Sequence, residues 1–469
     1  MKITVLNGSP KGDNSVTMSY IKYLQVVFPE HDFDIRHIAQ SIHRLEKDPE
    51  IFDTLMQDIK RSDGVLWAFP LYYLLVHGNY KRFIELIFER NQQEIFAGKY
   101  AAALSTSIHF FDHTAHNYMQ GICEDLGMHF VRSFSAEMQD LMGEKERENL
   151  ITFAQEFIEA CQKKALTRRV FLPLASQALQ YQPGPTRDQS DPGSLKMIIV
   201  TESGSMSGNL RSMLQRCQQS LAREAEVIDL SEIKIAGGCL GCVQCGMDNI
   251  CAYDGKDDVR PIYEEKLKKA DIIVFALTMK DRYFSARWKS FLDRSFYQTH
   301  QPTLPDKQIG YLISGPLRYE PNLRQILLAS AEIDQANLVD IITDEADTSA
   351  ELDLALDQFT EKLIRNATIH AKQPRTFLGV GGAKIFRDEM WGNLRFVFQE
   401  DYRYFKKHGM LDFPQSRLSL RLTHLLIPFI RLGPVKKQVQ EKTKDMMHRA
   451  HDQVIKREEE KRKNKEVKR

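Results

Sequence analysis

Residues 2–17, "KITVLNGSPKGDNSVT", decide how the rest of the chain is read. "KITVL" is a short β-branched run and reads as a strand. "NGSPKGDNS" ends it, with Gly8 and Gly12 permitting tight backbone turns. A helical pattern follows, with Val16, Tyr20, Leu24 and Val27 on one side. A polar loop that opens a helix favours an anion, because the first helical amides are free and the helix dipole is positive there. Ser9, Asn14, Ser15 and Thr17 are the candidate lining residues by their short polar side chains. Val16 joins them by its place at the helix start, and Lys11 supplies a cation. The loop is neither G-x-G-x-x-G nor a P-loop, which argues against a Rossmann dinucleotide site and against a nucleotide hydrolase. Taken alone, it reads equally well as a helix capped by Ser or Asn after a turn.

The same order of elements continues. "DGVLWAF" (63–69) and "KYAAAL" (99–104) are apolar strands with helical patterns between them. Strands alternating with helices predict a doubly wound α/β domain with a parallel sheet. "LQYQPGPTRDQSDPGSLK" then lacks periodicity and reads as a linker. Beyond it the pattern restarts with "MIIV" (197–200), "TESGSMSGN", a helix, and "ADIIVFAL" (270–277). Val5 matches Val200 and Asn14 matches Asn209 at one offset. Lys81, Phe83 and Glu85 match Lys289, Phe291 and Asp293 at another, thirteen residues larger. The expectation is a duplicated domain whose second copy gained a loop. The predicted boundaries are 1–165 for the first domain, 166–195 for the linker, 196–370 for the second domain and 371–469 for a C-terminal extension.

Composition adds bounds. The 469 residues are 42% hydrophobic and carry a net charge of +1, so no global field points to nucleic acid. The N-terminus shows no apolar stretch of signal-peptide length, and no window reaches the ~18 apolar residues of a membrane span. A cytoplasmic protein with reduced thiols is expected. Cys123, Cys161 and Cys217 are isolated and read as structural thiols.

The other four cysteines, Cys239, Cys242, Cys245 and Cys251, fall within "GGCLGCVQCGMDNICAYDGKDD" (237–258) at spacing C-x2-C-x2-C-x5-C. Three readings stand. A zinc site usually uses two C-x2-C pairs with a longer spacer. The compact run suits a [4Fe-4S] cluster, whose irons each take one thiolate. Free thiols are the third reading. Nearby glycines let backbone amides approach a cluster, and Asp257 and Asp258 read as helix-start caps.

The run G-S-P-K-G-D-N-S after the first strand resembles the phosphate loop of the flavodoxin-like NAD(P)H-dependent FMN reductases. "FPLYYLLVHGNYKRFIE" is similar to that family's second flavin loop, and "STSIHFFDH" falls where the third would be. The resemblance implies FMN binding by the residues of the first loop together with Pro70, Leu71, Tyr72, Tyr73, Ser105 and Thr106. In the second copy it implies Ser203, Ser205, Ser207 and Asn209, then Thr278, Met279 and Tyr283, then Ser314 and Gly315. That copy lacks the proline and the loop cation, and Glu202 stands close by. The cysteine spacing resembles the iron–sulfur flavoproteins of anaerobic prokaryotes, whose ligand positions match the four cysteines. Members of that family pair as dimers and bring a cluster near a neighbour's flavin. Two copies in one chain imply the same pair made internally, with the loop serving the first-domain flavin, and a homodimer besides.

After residue 371 the chain is rich in aromatics. Gly379, Gly381 and Gly382 read as a plain turn. "LSLRLTHLLIPFIRLG" (418–433) is too short to span a membrane and is expected to pack on the body, with membrane contact the weaker alternative. From Val435 the chain holds 13 Lys/Arg against 7 Asp/Glu and reads as a solvated helix. The expected function is a redox enzyme that couples one or two FMN to a [4Fe-4S] cluster, between NAD(P)H or a reduced carrier and an acceptor. The alternatives are a cluster-free NAD(P)H-dependent FMN or quinone reductase and a non-catalytic electron carrier or thiol/zinc sensor. No side chain is assigned a catalytic role.

Overall fold

In the computed structural model the described residues are 1–175, 179–186, 189–418 and the single positions 422, 460, 463 and 464. Almost all of the stretch 418–433 and the basic tail, and part of the linker, therefore lie outside the described residues. The chain divides after Phe405. Of the remainder, the described residues hold the end of a helix and a 3-10 turn at Pro414–Ser416.

The first half builds a five-stranded parallel sheet from β1 (Lys2–Asn7), β2 (Asp32–His37), β3 (Gly64–Pro70), β4 (Tyr100–Ser107) and β5 (His129–Glu137). Their order is β2-β1-β3-β4-β5. Its helices are α1 (Val16–Val27), α2 (Ile38–Lys47), α3 (Pro49–Lys60), α4 (Gly78–Glu89), α5 (Asp112–Asp125) and α6 (Glu144–Lys163). The second half repeats the plan with β6 (Met197–Thr201), β7 (Glu226–Asp229), β8 (Ile272–Thr278), β9 (Gln308–Ser314) and β10 (Asn337–Thr343) in the order β10-β9-β8-β6-β7. Its helices are α7 (Gly208–Gln219), the short α8 (Val259–Pro261), α9 (Ala286–Arg294), α10 (Pro321–Ile333) and α11 (Ser349–Thr368). Both orders are the flavodoxin-like 2-1-3-4-5, with the strand order reversing between the first and third strands of each half. In the sheets Leu6, not Val5, is the counterpart of Val200: Leu6 lies opposite Trp67 and Val200 opposite Phe275.

Each sheet buries both faces. The outer faces pack separately, on α1 and α6 in the first half and on α7 and α11 in the second. The inner faces share one apolar core that contains Trp67, Phe83 and Ile87 from the first half and Trp288, Phe291 and Leu277 from the second. The two halves are thus one folded body.

The seam is made by α4 against α9 and is reciprocal. Lys81 pairs with Glu85 on its own helix and reaches Asp281 of the second half at 3.2 Å. Lys289 pairs with Asp293 on its own helix and donates to the Tyr72 carbonyl of the first half at 2.9 Å. Asp293 in turn accepts the Gly78 amide at the start of α4, and Glu85 accepts the Ala286 amide at the start of α9. Each helix start therefore meets a carboxylate of the other half, where the dipole favours it. Both lysine side chains are wholly buried, and burial pushes the Lys289 pKa down. The loop turns that these lysines reach are also twins. Tyr72–Leu75 and Lys280–Tyr283 each close with two backbone hydrogen bonds, with the central residues at φ 38° and 66°, and 46° and 61°.

A mainly helical extension follows α11, with α12 (Phe377–Trp391) and α13 (Gln399–Lys407). Gly379, Gly381 and Gly382 lie inside α12 and form no turn. Their lack of side chains admits neighbours: a Cβ at Gly379 would sit 2.8 Å from Glu332 and one at Gly382 2.7 Å from Phe110. Buried Asp401 accepts from the His300 ring at 2.7 Å, and the Phe386 ring stacks between His300 and Phe110.

Lys289→Met strands the buried Asp293 carboxylate and should lower the unfolding free energy by about 3–5 kcal/mol. Adding Asp293→Asn, which keeps an acceptor for the Gly78 amide, should recover most of that loss. Urea unfolding of the two variants beside the wild type checks both.

Candidate functional site

In the first half the polar loop sits at the carboxyl end of β1, beside the strand-order reversal. Ser9 and Gly12 are buried, and Ser9 is held by its amide on Asn7 Oδ1 (2.9 Å). Ser15 caps α1, its hydroxyl accepting the Met18 amide. The amides of Val16 and Thr17 lead the helix, where no intrahelical carbonyl reaches them. Thr17 is buried and shares a 2.7 Å hydrogen bond with Thr106 at the end of β4. Thr106 also accepts the Leu71 amide, so the first, second and third loops are tied together at their roots. Lys11 and Asn14 are exposed at the rim, and Lys11 has no ion pair among the described residues. Free helix amides with an uncompensated cation above them fit a phosphate. Pro70 ends β3, and the Tyr72 ring stands edge-on to His77 at 4.7 Å. Tyr73 leaves the group: its hydroxyl crosses the seam to Asp334 (3.0 Å), beside a small aromatic-walled cavity of the second half. Ser105 bonds the ring of His116, whose pKa burial lowers to about 4.

The second half brings its predicted residues together differently. Ser207 caps α7 as Ser15 caps α1, but two fewer residues separate it from the strand: five lie between Thr201 and Ser207, seven between Asn7 and Ser15. By that register Asn209 is the counterpart of Thr17, not of Asn14. Ser203 turns its amide to Asp229, and the Ser205 hydroxyl lies over the Glu202 carbonyl. The Ser207 amide is taken by Thr278, and the Met279 amide by the Ser314 carbonyl. Tyr283 is buried in the wall of the aromatic cavity, away from the loop. Glu202 is buried against the Ser285 hydroxyl, and burial raises its pKa. Asp344 takes hydrogen bonds from Asn209, Ser314 and Gly315. This set does not fit a phosphate.

The cysteine loop belongs to the second half and lies on the first. The Cys239 carbonyl meets the His77 ring at 2.7 Å. A Cβ at Gly238 would sit 2.8 Å from His77, and one at Gly241 would overlap the Tyr72 hydroxyl and crowd Lys11. On its other side Gly246 abuts the Val397 carbonyl and Phe398 of the extension. Asp257 accepts the amide of Val259 at the start of α8 (3.4 Å), while Asp258 makes no side-chain cap there, and both fasten the loop's base. They accept the amides of Ala236 and Lys234, and Asp257 also pairs with Arg294. All four cysteines line one cavity with Arg294, Tyr253 and Phe296, and none is in a disulfide. Arg294 is buried beside Cys251, and its Nε has no hydrogen-bond partner among the described residues. Val243, a β-branched residue, holds φ 51° in the middle of the loop, a strained conformation. Burial pushes the Cys239 and Cys245 thiols up to about 12. Among the described residues no group of three or more His, Cys, Asp or Glu could hold a metal ion. That finding weighs against zinc.

Sequence reasoning missed Arg294, His77 and Asp344, and also a set on the third loop. His109, at φ 58°, bonds Asp112 and Ser135 through Nδ1, and the Asp112 hydrogen bond raises its pKa. No local pattern marks Arg294, His77 or Asp344, because each takes its meaning from a partner far away in the chain; His109 has its Asp112 partner three residues on.

Thiols with pKa values near 12 are poor nucleophiles at neutral pH. In metal-free protein at pH 8, iodoacetamide should label the exposed Cys242 first, with Cys239 and Cys245 at least about tenfold slower. Peptide mass spectrometry over time reads the order.

The family model for NADPH-dependent FMN reductases matches residues 1–140 and again residues 196–335. Among solved structures, the chain is similar to the FerB flavoenzyme, an NAD(P)H:acceptor oxidoreductase from Paracoccus denitrificans. The identity is 24% over 35% of this chain and 99% of that one, with a TM-score of 0.30. An FMN-dependent NADH-azoreductase from Bacillus anthracis, in complex with FMN, is 14% identical over 35% of this chain and 100% of that one, at a TM-score of 0.26. An NADH:FMN oxidoreductase, EMOB, is 20% identical over 34% and 89%, at 0.30. No curated protein sequence matches the chain. Matched twice over by one family model, and folded twice into that plan, the chain belongs to the NADPH-dependent FMN reductase family.

Proposed function

We propose that the protein is an FMN-dependent oxidoreductase that draws on NAD(P)H, with its flavin site on the first half. The observation that carries this is the convergence of the α1 start, Lys11, Thr106 and the Tyr72 turn at the strand-order reversal. When bound, FMN supplies two-electron acceptance from a hydride donor and delivery to an acceptor. Ser9, Ser15, Val16 and Thr17 would hold the phosphate, with Lys11 compensating its charge. Pro70, Leu71, Tyr72, Ser105 and Thr106 would border the ring. The covering segment 238–241 keeps bulk water from the Tyr72 side of the site.

A second reading adds a [4Fe-4S] cluster at the loop. It is supported by the single cavity shared by Cys239, Cys242, Cys245 and Cys251, and by Arg294 in that cavity's wall, whose Nε has no hydrogen-bond partner among the described residues. A cubane spreads its thiolates over four irons and needs them farther apart than one ion does. The cluster-free reductase is the better backed of the two, since no metal-holding group stands among the described residues.

Lys11→Glu reverses the loop's one cation while leaving the buried residues alone. It should weaken FMN binding at least about tenfold, a change of ~1.4 kcal/mol, in a fluorescence titration. A wild type that binds no FMN, and stays colourless with NADH or NADPH present, sinks the first reading. Protein purified without oxygen separates the two: about four irons and matching sulfide per chain establish the cluster, and flavin without iron removes it.

A further inference from the structure

The two halves can be superposed in words. Ser15 and Ser207 cap the first helices, so Thr17 and Asn209 are counterparts. Thr106 and Ser314 are counterparts because each carbonyl receives the first amide of its second loop, Leu71 or Met279. Ala136 lies opposite Thr106 in the β4–β5 ladder; Asp344 follows Thr343, which lies opposite Ile313. Where the first half has Thr17, Thr106 and Ala136, the second has Asn209, Ser314 and Asp344.

We propose that the second half binds no FMN because its anion loop is closed by its own carboxylate, Asp344, so that the chain carries a single flavin. This rests on the reading that FMN binds in the first half.

Asp344 is wholly buried and fully engaged. Its oxygens accept from the Ser314 hydroxyl (2.6 Å), the Gly315 amide (2.9 Å) and the Asn209 side-chain amide (2.9 Å). The Ser207 hydroxyl donates a hydrogen bond to Ser314 Oγ (2.7 Å), which completes the chain of donors. The Asn209, Ser314 and Gly315 donors are therefore already turned to a negative charge, and the loop amides of Ser203, Gly204 and Ser207 are taken by Asp229, Ser231 and Thr278. A second carboxylate, Glu202, stands where the first half has Gly8, and it is buried against Ser285. A phosphate placed there would meet the buried Asp344 carboxylate and the Glu202 carboxyl group with no cation in the loop, which is unfavourable. The linker adds a physical obstacle. Its Leu179 carbonyl and Tyr181 amide bond the Asn209 side chain, so the chain itself lies over the start of α7.

The test uses a symmetric pair of variants. Aspartate caps a helix as well as serine does, so Ser15→Asp and Ser207→Asp preserve the caps while adding a charge at each loop. Apo-protein, full length, is titrated with FMN and the quenching of flavin fluorescence is followed. The wild type should take up one equivalent per chain. Ser15→Asp should weaken that site at least tenfold, and Ser207→Asp should leave both the count and the affinity unchanged. Circular dichroism confirms that both variants are folded. Two equivalents in the wild type, or a site lost in Ser207→Asp and kept in Ser15→Asp, overturn the inference. Two equivalents with one lost in Ser15→Asp overturn it while leaving the first-half reading intact. No flavin uptake at all overturns the first-half reading and the count of one with it.

Discussion

The buried, crossed pairing of Lys81 with Glu85 and Asp281, and of Lys289 with Asp293 and the Tyr72 carbonyl, is the constraint on which the rest depends. Charges removed from water are tolerated only when paired and hydrogen-bonded, and each buried lysine has part of its pairing supplied by the other half. The same pairs reach the turns at Tyr72–Leu75 and Lys280–Tyr283 and hold their left-handed residues in place. The seam thus sets the position of the Tyr72–Leu75 turn in the first half directly.

From that seam the molecule departs from symmetry. The segment after β7 carries an inserted loop that crosses to the first half and lies on His77, Tyr72 and Lys11. The segment after β2 has no such loop, and α2 follows it at once. The first half keeps a cation in its loop; the second has none, and sets a buried carboxylate, Asp344, against Asn209, Ser314 and Gly315. The extension closes the same side, with α12 on Phe110 of the third loop and Phe398 against Gly246. Loop, extension and polar site therefore gather around one half.

Much of this was legible in the residues and some was not. The apolar strands β1, β3, β4, β6 and β8 announced a doubly wound fold, and Lys81/Lys289 with Glu85/Asp293 announced its repetition. The edge strands β2, "DFDIRH", and β7, "EVID", carry charges and are short, so the alternation that marks a strand is lost in them. The glycines of α12 were read as a turn because glycine weakens an isolated helix; close approach of Phe110 and Glu332 decides otherwise here. The residues of the loop after β1 could be listed one by one, since they are adjacent in sequence. Tyr73 could not be told from Tyr72, because only the partner half supplies Asp334. Asp344 is silent for the same reason: its donors come from two stretches far from it in the chain, Asn209 and Ser314–Gly315.

The covalent tether has a consequence for how such a molecule changes over generations. In a symmetric homodimer every substitution appears twice, so a residue spoiled at one copy of a site is spoiled at both. The linker joining these halves removes that obligation. One copy can lose a cofactor loop, or acquire a thiol-bearing insertion, while the other is left untouched and the shared core still closes. Fusion converts a symmetric enzyme into a pair of parts free to specialise, with the stoichiometry between them fixed at one to one.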